Sequence, residues 1–145
     1  MQATRAIPFI LAVLCAGAGP AATQSAAQGA AQGANDVVGA WTAQSVDQMT
    51  GVPFAVQYGF FDDGTYQKSL QIGAGYDYIA GPWFTQGNLL RLEVRQHWST
   101  AGEGPTPPGE LWYFERRGGQ LVLVNAACPS PQMAALCTLV LNRAQ

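Results

Sequence analysis

Between Val52 and Phe60 every second residue is apolar: Val52, Phe54, Val56, Tyr58 and Phe60, with Ala55, Gln57 and Gly59 among those between. A period of two sends alternate side chains to opposite sides of an extended chain, so this segment predicts a strand with one buried face. The same pattern recurs in short pieces. Asp62-Asp63-Gly64 is a hairpin turn signal, and alternation resumes over residues 65–72. Residues 73–75 interrupt it with a glycine at each end, and residues 76–84 restore it around Gly81-Pro82. After the turn Gln86-Gly87-Asn88, the residues Leu90, Leu92, Val94 and Trp98 alternate with Arg91, Glu93, Arg95 and His97. A polar loop over 100–109, an aromatic strand at 111–114, the turn Arg117-Gly118-Gly119 and strands at 121–124 and 138–142 complete the series. With residues 39–46 as the first, about eight strands result, nearly all beside their sequence neighbours. A meander of that length tends to close, because closure removes unpaired edges. The expected fold is all-β: a single small antiparallel up-and-down barrel over residues 37–145, with a sandwich as the alternative.

Composition agrees. A chain of 145 residues allows one domain. Only 11 % of it is charged, while 17 glycines and 15 Phe, Trp and Tyr residues (6, 4 and 5) suit strands joined by tight turns. The net charge is −2, and Arg116–Arg117 is the one basic pair. Phosphate binding needs a basic stripe, so nucleic acid is not an expected partner.

The first 35 residues carry a single charge, Arg5. An apolar run over residues 7–16 follows it, then Ala16-Gly17-Ala18. Basic, apolar and small-x-small segments in that order predict a signal peptide over residues 1–18, with cleavage after Ala18 or, failing that, after Ala27. The run is too short to cross a bilayer, so no transmembrane span is expected. Leu14 precedes Cys15 where a lipoprotein site needs a small residue. Residues 19–36, with their AAQG repeat, cannot bury enough apolar surface to offset ordering and read as a flexible linker. The expected location is periplasmic or secreted.

In such a compartment the remaining pair, Cys128 and Cys137, predicts a structural disulfide around Pro129 and Pro131. His97 is the sole histidine, and on its strand it shares a face with Arg91, Glu93 and Arg95, the pattern of a solvated side. One histidine with scattered carboxylates makes no metal site. No Gly-x-Ser-x-Gly elbow supports a nucleophile, and Asp62 and Asp63 are turn formers. The sequence thus assigns no catalytic residue, metal or cofactor, and a non-enzymatic role is expected. The segment 111–114 and the pair Trp83-Phe84 are apolar on both strand faces. One face would fill the barrel. The other calls for cover by the cysteine segment or for a binding partner.

Gly39-Ala40-Trp41 resembles the Gly-x-Trp signature that opens the first strand of lipocalin-like (calycin) barrels, and Arg143 stands at the end of the last strand. The resemblance implies that Gly39, Trp41 and Arg143 are structural, with the guanidinium lying across the indole to close the barrel's base. It also implies an interior that holds a small apolar molecule. Phe54, Tyr58, Phe60, Leu92, Trp98 and Trp112 are then the candidate ligand contacts. The same features also resemble periplasmic inhibitors of secreted metalloproteases, in which the N-terminal tail (here residues 19–35) enters the protease cleft. That resemblance implies another extracytoplasmic protein as partner. A cavity of several hundred Å³ would favour the ligand, and a filled interior the protein.

Overall fold

The computed structural model describes residues 33–46 and 50–145. The expected leader and most of the expected linker lie outside them. Nine strands form: β1 (Gly39–Val46), β2 (Pro53–Phe60), β3 (Thr65–Ile72), β4 (Gly75–Gln86), β5 (Leu89–Leu92), β6 (Gln96–Ser99), β7 (Glu110–Arg117), β8 (Gln120–Asn125) and β9 (Thr138–Arg143). All pairings are antiparallel. Eight strands close in the order β1-β2-β3-β4-β5-β7-β8-β9 and back to β1, and β6 is an extra strand on β4. The fold is a closed all-β barrel, consistent with a lipocalin-like one, and not a sandwich.

The ninth strand comes from a break in what the sequence presents as one strand, residues 90–98. The pairs Trp83↔Leu92 and Ala80↔Gln96 show the second strand advancing one residue further than β4 between them. The extra residue makes a bulge at 93–95, held by Glu93 N–H donating to Pro82 O (3.0 Å) and Arg95 N–H donating to Ala80 O (2.9 Å). Gly81 is required opposite it, since a Cβ there would stand 1.9 Å from the Glu93 carbonyl oxygen. A single inserted residue inverts the alternation beyond it. Leu90 and Leu92 are therefore buried, but beyond the bulge it is His97, opposite the core-packed Ile79, that faces inward. Trp98 points outward beside Tyr78 and is 56 % exposed. This corrects two expectations: His97 leaves the solvated face of Arg91 and Glu93, and Trp98 leaves the barrel interior.

The two ends of the barrel are built differently. At one end a helical turn at residues 33–37 begins ahead of the expected domain start at Val37 and carries fully buried Val37 into the opening. Trp41 Nε1–H donates to Val37 O at 2.7 Å. The Arg143 guanidinium lies 5.6 Å from the Trp41 ring centroid, and Arg116, which the sequence reading left unassigned, lies closer at 4.5 Å. Below this clamp, Phe60, Tyr66, Trp83, Leu90, Leu121 and Leu141 are buried together. The other end carries the end of β1, the start of β2, the 100–109 loop and the cysteine segment, a 3-10 helix at Pro131–Cys137 with the Cys128–Cys137 disulfide formed.

That segment caps the rim and does not cover the outer face of β7. Leu111 and Tyr113 remain exposed there, as does Phe84 on β4. The expected cover for these side chains is absent among the described residues.

Candidate functional site

The strand registers bring a polar cluster into the barrel between its two ends. Glu110 is the first residue of β7, opposite Leu92 on the inward face. Lys68 enters from β3, opposite Tyr58 on one side and Ile79 on the other. Glu110 Oε1 accepts from Lys68 Nζ. Its Oε2 accepts from Tyr58 Oη at 3.2 Å and from Trp112 Nε1 at 2.9 Å. The Lys68 ammonium also stands 5.3 Å from the Tyr58 ring centroid. The ion pair is mostly buried, with side chains 13 % and 23 % exposed, and such a pair is tolerable only when its remaining bonding capacity is met. Here both carboxylate oxygens are engaged. Burial, followed by the charge and hydrogen bond of Glu110, holds the Tyr58 phenol well above its ordinary pKa. Burial and the same charge raise Tyr66. Both tyrosines are neutral at physiological pH, and Tyr58 donates to Glu110.

The hydrogen bond from Trp112 fixes its indole against the cluster, and its outer edge faces the rim. There a cleft of about 460 Å³ opens, lined by Phe54, Trp112, Leu139, Asn125, Leu136 and the disulfide. Phe54, Trp112 and Leu139 are half-buried, unlike the residues deeper in the barrel. Leu136, on the 3-10 helix, is 83 % exposed at the cleft edge.

The six candidate ligand contacts are thereby distributed. Phe54 and Trp112 share the cleft. Tyr58 lies beneath it in the polar cluster. Phe60 and Leu92 are sealed in the packed interior, and Trp98 is outside. Sequence reasoning missed Lys68, Glu110 and Leu139. Lys68 interrupts an apolar strand face, a signal that was available. Glu110 is separated from Lys68 by 42 residues, and nothing local announces the pairing.

Among the described residues no group of three or more metal-ligating side chains converges, and no helix is long and apolar enough to cross a membrane. No protein-family model matches the sequence, and no curated protein matches it.

Proposed function

We propose that this chain is an exported, non-enzymatic binding module of lipocalin-like type that takes a small apolar molecule into the open end of its barrel. One observation carries the reading. The closed end is filled by buried side chains, whereas the rim leaves a cleft of about 460 Å³ with half-buried Phe54, Trp112 and Leu139 around it. Ligand sites have volumes from about 300 Å³ upward and combine apolar walls with a few polar groups. Asn125 and Thr138 supply those here. Export is supported by the leader pattern and by the disulfide, a bond that persists in oxidising compartments.

Titration with N-phenyl-1-naphthylamine, a neutral apolar fluorophore, tests the reading. One molecule per chain should bind, with its emission lost in both Trp112→Ala and Leu139→Ala. Absence of uptake, or uptake unchanged in both variants, would reject it. The second reading, a protein partner such as an extracytoplasmic protease, is favoured by the protruding Leu136. Native mass spectrometry of protein recovered from a periplasm separates the two, because a co-purified small molecule and a co-purified protein differ in mass by orders of magnitude.

A further inference from the structure

The outer face of β1 to β4 is built for something other than an apolar ligand. Across it runs a row of directly paired outward residues, Thr42, Gln57, Ser69, Tyr78 and Trp98, one from each of five adjacent strands. A second row, Gln44, Ala55, Gln71 and Tyr76, lies beside it. In the four strands β1 to β4 the only charged residues are Lys68 and Asp77. Both belong to the inward face, Lys68 at Glu110 and Asp77 opposite the core-packed Leu70. The outward face therefore offers amides, hydroxyls and aromatic rings, with no formal charge. The other half of the barrel contrasts with this, since Arg91, Glu93, Glu115 and Arg117 form exposed ion pairs there.

The face is also shaped. A groove of about 390 Å³ lies on it, with Ala40, Gly59 and Ser69 at its floor and Tyr76 and Tyr78 at one side. Thr42 lines the same groove, and its hydroxyl oxygen is buried without a hydrogen-bond partner. A buried hydroxyl without a hydrogen-bond partner is uncommon in a folded protein. The Gln57 and Gln67 side chains that reach the groove are exposed, with amides accessible from it. At its margin the Tyr76 and Trp98 rings approach to 5.9 Å between centroids, tilted by 56°.

We propose that this groove binds a neutral carbohydrate. A sugar ring presents an apolar C–H face that stacks on an exposed aromatic, and equatorial hydroxyls that both donate to and accept from amides and hydroxyls. Trp98 and Tyr76 supply the stacking platform, while Gln57, Gln67 and Ser69 supply paired donors and acceptors. No charged side chain lines the groove, and the nearby Arg95 is paired with Glu93, so the groove itself favours neutral sugars over uronic acids and phosphorylated ones. This site lies on the outside of the barrel and is independent of the ligand cleft at the rim.

Affinity electrophoresis of the full chain in gels containing hydroxyethylcellulose, galactomannan or arabinoxylan tests the inference, with polygalacturonate as the charged comparison. Retardation by at least one neutral polymer, weakened about tenfold or more in Trp98→Ala and also reduced in Gln57→Ala, is expected. Trp98 and Gln57 are exposed, so both variants should fold, and near-wild-type thermal unfolding checks this. Phe84→Ala, an exposed aromatic away from the groove, should migrate as the parent does. Unretarded migration in all three neutral gels would overturn the proposal, as would equal retardation of the parent and Trp98→Ala. Stronger retardation by polygalacturonate, or capture of a peptide at Trp98 with no effect of any polysaccharide, would also overturn it.

Discussion

The closed and open ends of this barrel use the same strands to opposite effect. At the closed end the core is filled by buried apolar side chains, and two guanidinium groups lie against the Trp41 ring, whose N–H is satisfied by Val37. At the open end the inward positions are half-buried, the rim is tied by a disulfide, and the floor is an ion pair with two aromatic donors. One end is filled for stability. The other leaves room, and a covalent link and a polar network replace the missing packing. Packing is thus divided along the barrel axis, and an interior filled throughout would leave no room for a ligand.

The contrast is sharpest in a pair of tryptophans. Trp41→Ala removes a fully buried indole along with its two cation contacts, and should destabilise by about 3–5 kcal/mol. Trp112→Ala, half-buried at the rim, should cost about 1–2 kcal/mol by its smaller loss of buried area. Urea unfolding measures both. Equal costs would break the distinction between the ends.

Opening the disulfide comes next in size. The loop closed by Cys128 and Cys137 is short, and releasing it should cost about 2.5 kcal/mol on the loop-entropy account. Because the cleft shares those residues, Cys128→Ser with Cys137→Ser should also weaken N-phenyl-1-naphthylamine binding. Unchanged stability and unchanged binding together would show that the rim is held by other contacts.

The smallest effect combines a cost near neutrality with a changed alkaline profile. Tyr58 is held neutral in the folded barrel by burial and by Glu110, so its folded pKa lies above its unfolded value. A group of that kind contributes fully below the unfolded pKa of about 10, and its contribution falls as pH rises from there toward the folded pKa. Tyr58→Phe should cost about 1–2 kcal/mol near neutrality through the lost bond to a carboxylate. It should also lose less stability than the parent between about pH 10 and pH 12, a range in which Tyr66 leaves a residual slope in both proteins. Parallel pH profiles of the two would remove Tyr58 from the alkaline transition.

Much of the architecture is legible in the residues themselves. Period-two alternation over 52–60 and 65–72, with Asp63-Gly64 between, is a local property of the backbone and its turn residues, so hairpin and register follow from it. The disulfide follows from two cysteines remaining in a chain with a leader pattern. The Trp41 and Arg143 pairing rested on a resemblance, and the structure adds Arg116 to it. The bulge was not legible in the bulged strand, where alternation runs on through Val94 without a glycine or proline. Its sign lay across the sheet in Gly81-Pro82, a signal readable only once the partner strand is known.

What the sequence by itself determined is the strand character, the turns and the inward rows of β2 and β3, because each depends on neighbours within a few residues. What only the tertiary structure decided is which end of the barrel is filled, that Lys68 meets Glu110, and that Trp98 faces outward beside Tyr78. These depend on one inserted residue and on side chains tens of positions apart. A register shift of one residue reverses a whole strand face, and a buried charge is stable only where the fold delivers its partner.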